Sequence, residues 1–317
     1  MGNAEGGLGT SGKGADSAHT SFPQSPISNL QSAFPHPQSA LLSLPGFRAR
    51  LVRTMSEWKN KTVLITGASY GIGESFARRL AADGAQLLLT ARSKDRLEAL
   101  AAQLRSQYGV PVNIICADLA NATGAREIFE ETTRANLSVD LLINNAGFGA
   151  LGEFAELSLP RQLEMIQVNV TALVELTHLF LQPMQARRSG AILNVASTAS
   201  FQAIPYFAIY AATKAFVLSF SEALMEECRP SGIRVMALCP GSTTTNFQEV
   251  AGSQHLNAPR FTQTSAQVVE AGLAALAQGQ SFVISGLTNK IQTHLERVVP
   301  RAIVTKMAGK IFKPPAR

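Results

Sequence analysis

The chain predicts an α/β fold, one doubly wound parallel sheet covered by helices on both faces. Three observations carry this. Short β-branched or leucine-rich runs recur along the chain, and each is followed by a stretch with helical spacing. The joins between them are short, as strands linked by crossover helices require. The first such run, Thr62-Val63-Leu64-Ile65, passes through a glycine turn, Thr66-Gly67-Ala68-Ser69-Tyr70-Gly71-Ile72-Gly73, directly into a helix.

Taken in order, Thr62 to Thr66 reads as a buried strand and Gly71 to Ala82 as a helix with Phe76, Ala77 and Leu80 on one face. Gln86 to Thr90 is strand and Lys94 to Gln107 helix. Val112 to Cys116 is strand and Asn121 to Asn136 helix. Leu141 to Asn144 is strand, and Pro160 to Arg188 a long helix with Pro183 near its end. Ala191 to Ala196 is strand and Ile209 to Cys228 helix. Ile233 to Cys239 is strand, Thr264 to Ala277 helix and Ser281 to Ser285 a last strand. Right-handed crossovers are expected throughout. The alternation defines one domain over 58–288, with no linker inside it.

Residues 1–57 differ in kind. Gly, Ser, Pro, Gln and Ala dominate without any period, so this stretch reads as a disordered low-complexity extension. It has neither a signal-peptide pattern nor the Ser or Thr expected for myristoylation. Leu41 to Val52 is a short amphipathic piece, and Met55 is a candidate translation start. The formal charge is +6, and the six basic residues Arg297, Arg301, Lys306, Lys310, Lys313 and Arg317 lie in the tail with no acid among them. The rest of the chain is near neutral and offers no basic groove for nucleic acid. Cys116, Cys228 and Cys239 form no Cys-x-x-Cys pair and read as buried free thiols in a reducing, cytoplasmic setting, with no metal site. No window holds 18 uninterrupted apolar residues, so no spanning helix is expected.

The glycine turn lets the backbone approach a ligand, and the following helix offers free N–H groups and a positive dipole end to a pyrophosphate. After the second strand an NAD-binding fold places an acid for the ribose 2′-hydroxyl. Here Thr90-Ala91-Arg92-Ser93 has none, and Arg92 suits a 2′-phosphate instead. NADP(H) is therefore the expected cofactor.

These residues resemble the short-chain dehydrogenase/reductase superfamily in its NADP-using branch, over about residues 58–290. The resemblance rests on Gly67-x-x-x-Gly71-x-Gly73, Asp118-Leu119, Asn144-Asn145-Ala146-Gly147, Asn169 within Val168-Asn169-Val170, Ser197, Tyr210-x-x-x-Lys214 and Pro240-Gly241 with Thr245. It implies a Rossmann-type fold and an oxidoreductase acting on a carbonyl/alcohol pair. It assigns Asn169, Ser197, Tyr210 and Lys214 as catalytic. It assigns Gly67, Ser69, Tyr70, Gly71, Ile72, Gly73, Arg92, Asp118, Leu119, Asn145, Ala146, Gly147, Tyr210, Lys214, Pro240, Gly241, Thr243 and Thr245 to the cofactor. Tyr70 departs from the pattern, because many NADP-using relatives carry a basic residue there. The two long helices resemble those that pair between family subunits, which implies a homodimer or homotetramer.

Carbonyl reduction needs a hydride and a proton. Tyr210 is the expected acid; a free tyrosine has a pKa of about 10, and Lys214, one turn on, would lower it. Ser197 would bind the substrate oxygen. By resemblance, Asn169 kinks its helix and holds a water that feeds the lysine. Residues Ser242 to Phe261 lack a period and read as a substrate loop. Phe148, Phe207, Phe247, Val250, Leu256 and Phe261 either line an apolar pocket, suited to a ketone or 3-oxoacyl substrate, or anchor the loop. Residues 289–317 form a basic amphipathic tail interrupted by Pro300, which either packs on the domain or a partner subunit, the preferred reading, or contacts an anionic membrane peripherally. The rival functions are a non-catalytic NADP(H) sensor and a membrane-peripheral scaffold on the same fold.

Overall fold

In a computed structural model of the chain, residues 57–256 and 262–314 are described. The expectations for residues 1–56, including the amphipathic piece and Met55, and those for Phe261 and Arg317 lie outside them.

The elements run β1 (Thr62–Thr66), α1 (Gly71–Ala82), β2 (Gln86–Ala91), α2 (Lys94–Tyr108), β3 (Val112–Cys116), α3 (Gly124–Arg134) and β4 (Leu141–Asn144). Next come α4 (Leu159–Ile166), a π-helical turn (Gln167–Thr171), α5 (Ala172–Ala186), β5 (Ala191–Val195), α6 (Ala208–Cys228) and β6 (Arg234–Cys239). The chain continues through β7 (Thr243–Thr244), α7 (Phe247–Val250), β8 (Gln263–Thr264), α8 (Ser265–Ala277), β9 (Phe282–Ile284), α9 (Leu287–Val298) and α10 (Arg301–Ile311).

Seven strands form one sheet in the order β3-β2-β1-β4-β5-β6-β9, and every pairing is parallel. Strand alternation divides the core. Val63 and Ile65 of β1 face a layer with Phe76, Leu80, Leu97 and Val268, while Leu64 faces the opposite layer with Ile128, Leu176, Phe180 and Ile192. All five residues of β1 are buried, which is why the run is apolar throughout rather than alternating.

The strand order reverses between β1 and β4, and a crevice opens there at the strands' carboxyl ends. The expected long helix over Pro160 to Arg188 is instead α4, the π turn and α5, with Asn169 buried in the π turn. A side chain that needs its own partners has replaced the regular helical register there. The helix expected from Asn121 starts at Gly124, because Asn121 N–H bonds back to Asp118 O and Gly124 N–H to Asn121 O. Among the described residues one helical stretch, Ala208–Ser231, is long and apolar enough to cross a membrane. Its residues Tyr210, Lys214, Val217 and Cys228 are buried within this domain.

Cys228 and Cys239 are buried free thiols, but Cys116 is exposed. It ends the outermost strand of the sheet, which has a strand partner on one edge only, and its Sγ–H reaches Arg92 O at 3.2 Å.

Candidate active site

The carboxyl ends of β1 and β4 are tied together by Thr66. Its Oγ1 accepts from Asn145 N at 3.0 Å and from Ala146 N at 2.9 Å. Asn145 Nδ2 donates back to Thr66 O at 2.9 Å and to Gly67 O at 3.2 Å. Behind this clasp, Asn144 Nδ2 donates to Thr177 Oγ1 and Asn194 Oδ1, at 3.0 and 2.9 Å. The glycine turn is thus held by the Asn145 amide and the Thr66 hydroxyl, and Ala68 N–H ties it to Thr90 O at 3.1 Å.

Gly71 has φ +57°, and a Cβ there would stand 2.9 Å from Thr245 Cγ2. Gly73 does something else. A Cβ on it would stand 2.3 Å from Gly67 O and 2.5 Å from Asn145 Nδ2. It therefore lets α1 pack on the turn, and it does not line the cleft as the sequence reading expected.

The cleft has a volume of about 750 Å³ and is lined by the other expected cofactor residues: Gly67, Ser69, Tyr70, Gly71, Ile72, Arg92, Asp118, Leu119, Asn145, Ala146, Gly147, Pro240, Gly241, Thr243 and Thr245. Ser197, Tyr210 and Lys214 line the same cleft. These residues fit a dinucleotide. No side chain caps α1, so its first-turn N–H groups are left for an anion.

Arg92 is mostly exposed and stands 3.7 Å from Glu164. Arg96, which the sequence reading missed, also lines the cleft, and its guanidinium lies 3.7 Å above the Tyr70 ring centroid. A basic group from α2 thus stands over position 70, held there by the tyrosine ring. The one sequence signal for it is the spacing Arg92-x-x-x-Arg96, which places the second arginine on the first turn of α2.

Tyr210 sits between aromatic rings, 4.5 Å from Phe207 and 5.3 Å from Phe247 by centroid. Burial pushes its phenol up to about 12, partly opposed by the neighbouring Ser197 hydroxyl. Burial also pulls the Lys214 ammonium down to about 8. The sequence reading expected the lysine to lower the tyrosine pKa. Desolvation disfavours both charged forms, and it is the largest cause of each shift. Lys214 Nζ is 5.9 Å from the Tyr210 ring centroid and donates to Val195 O at 2.7 Å. Ser197 Oγ accepts from Ala199 N at 3.1 Å.

Asn169 is drawn in behind this group and does not line the cleft. Its Oδ1 accepts from Phe148 N at 3.1 Å, and its Nδ2 donates to Phe148 O at 3.0 Å and Thr213 Oγ1 at 3.1 Å. It fixes the chain after β4 against α6, the helix that carries Tyr210 and Lys214.

A model of the short chain dehydrogenase family matches residues 61–255. The chain belongs to the short chain dehydrogenase family. Human 17-beta-hydroxysteroid dehydrogenase type 3 is 33% identical over 224 residues, covering 70% of this chain and 69% of that one. Human very-long-chain 3-oxoacyl-CoA reductase is 30% identical over 261 residues, 80% of each chain. The solved structure of a short-chain dehydrogenase from Sphingobium yanoikuyae in complex with NADPH is 34% identical, with a TM-score of 0.68 over 76% of this chain and 97% of that one. This dehydrogenase is thus an oxidoreductase on a nucleotide-binding, Rossmann-type sheet, and its substrates are small molecules.

The walls beyond Tyr210 are apolar. Of the two readings left open for them, Phe148, Phe207, Phe247, Val250 and Leu256 take the first and line the cleft. Ile204 and Phe312 join them, and Phe312 stacks 6.1 Å from Phe207. Phe312 arrives from beyond α10, in a tail whose apolar spacing carried no sign that it reaches the site.

Proposed function

We infer that this dehydrogenase reduces a ketone or 3-oxoacyl carbonyl on an apolar body to the alcohol, with NADPH as cofactor. The observation that carries the reading is the convergence of Ser197, Tyr210 and Lys214 on one cleft with the glycine turn and two arginines. The reduced nicotinamide, when bound, supplies a hydride to the carbonyl carbon. Tyr210 passes its phenolic proton to the carbonyl oxygen as the C=O π electrons move onto it. Its high pKa keeps that proton in place at neutral pH. Ser197 donates a hydrogen bond to the oxygen as charge builds. The Lys214 ammonium, charged below about 8, steadies the phenolate until a solvent proton restores it. Asn169 acts at one remove, by holding Phe148 and Thr213.

The aromatic wall supports an apolar substrate. So do the names of the two human relatives, a hydroxysteroid dehydrogenase and a very-long-chain 3-oxoacyl-CoA reductase. Arg92 and Arg96 support NADPH over NADH, because a 2′-phosphate accepts paired bonds from guanidinium groups.

The test is loss of reduced-nicotinamide absorbance with a panel of apolar ketones. NADPH should be preferred over NADH by about tenfold or more, and Tyr210→Phe should lower kcat by about a thousandfold while leaving NADPH affinity unchanged. Tight NADPH binding without turnover on any carbonyl would favour the sensor reading instead.

A further inference from the structure

The chain's last two described helices, α9 and α10, have unlike faces. The inner face closes on the domain. Thr293 and Ala308 are buried, and a Cβ on Gly309 would stand 3.2 Å from Pro205 Cγ. Gln292 and Phe312 reach the cleft.

The outer face is open and aliphatic. Leu287, Ile291, Leu295 and Val298 recur every third or fourth residue along α9, and Ile303, Met307 and Ile311 every fourth along α10. Their exposures run from 50% at Ile303 to 79% at Val298. One such residue would be ordinary; seven at helical spacing on successive helices form a surface that needs a partner.

Charge decides which partner. Six basic residues, Lys290, Arg297, Arg301, Lys306, Lys310 and Lys313, stand here against the single acid Glu296, close to the whole +6 surplus of the chain. Glu296 is turned inward, with Oε2 buried. Lys306 and Lys310 are exposed and each immediately precedes a residue of the α10 stripe. A second copy docking two-fold on this face would set these cations against their own kind. An anionic bilayer would take the aliphatic side chains into its acyl boundary and pair the lysines with acidic headgroups.

We propose that the outer face of α9 and α10 seats this dehydrogenase peripherally on anionic membrane. Because Gln292 and Phe312 belong to the same segment, the seat brings the cleft close to the bilayer. Apolar ketones concentrate there, a consequence that rests on the substrate class proposed above, whereas the docking does not.

The full chain is sedimented with phosphatidylcholine vesicles, with and without phosphatidylserine. It should pellet with the serine-containing vesicles and be released by added salt. Lys306→Glu with Lys310→Glu should weaken that partition about tenfold or more, and Leu295→Glu with Met307→Glu should abolish it. Unchanged NADPH binding checks that each variant is folded. Pelleting with neither vesicle, or equal pelleting by parent and both folded variants, would overturn the proposal. So would a lipid-free dimer that both variants convert to monomer, which would assign the face to a second copy.

Discussion

Around the glycine turn the chain is tied by short hydrogen bonds from Asn145 and Thr66, while the wall made by Phe207, Phe247 and Phe312 rests on ring contacts at 5 to 6 Å. The first region admits almost no change, because an amide, a hydroxyl and the turn's own carbonyls meet there with no room for a further carbon. The second is side chain against side chain, part of it on a short helix and at the end of the last one, and it can be reshaped one residue at a time. A family can then keep one cofactor cradle and vary what it reduces, because the two jobs sit in regions of different stiffness.

The sharpest test of that contrast is Gly73→Ala. The new methyl would meet Gly67 O at 2.3 Å, and neither α1 nor the turn can give way cheaply. Overpacking of this kind should cost about 3 kcal/mol and lower Tm by about 8 °C, read by thermal unfolding, with NADPH binding weakened as well. An unchanged Tm would mean that the cradle is softer than its geometry indicates.

A smaller effect is expected from Arg96→Ala. It removes one charge beside Tyr70 and leaves the clasp intact. KM for NADPH should rise about tenfold, KM for NADH should barely move, and Tm should stay as it was. Equal weakening of both cofactors would show that Arg96 does not read the 2′-phosphate.

Smaller still is Phe312→Ala on the ring-built wall. It should raise KM for an apolar ketone about fivefold, through lost apolar contact, and leave KM for NADPH unchanged. A fall in kcat for every substrate would instead make Phe312 part of the catalytic geometry.

Much of this arrangement is legible in local sequence, and the reasons are physical. Strands buried on both faces must be apolar throughout, so β1, β2 and β4 announce themselves. A turn that needs a left-handed φ at Gly71 and a missing Cβ at Gly73 tolerates little else. Tyr210 and Lys214 share a helix, so their spacing alone puts them on one face. Asn169 was legible as a special residue, but its partners, Phe148 and Thr213, come from two other segments and could not be read from its neighbours. The same holds for Arg96, whose placement depends on Tyr70 lying beneath it.

What the sequence alone determined is therefore the parallel sheet, the position of the glycine turn and the set of polar groups at the strand ends, because each follows from periodicity or backbone sterics within a few residues. Tertiary structure alone decided which of those groups face the cleft, that burial raises Tyr210 while lowering Lys214, and that Phe312 closes the site while its helix turns a greasy, basic face outward. Desolvation and contact depend on what the rest of the chain brings alongside, and no local pattern encodes that.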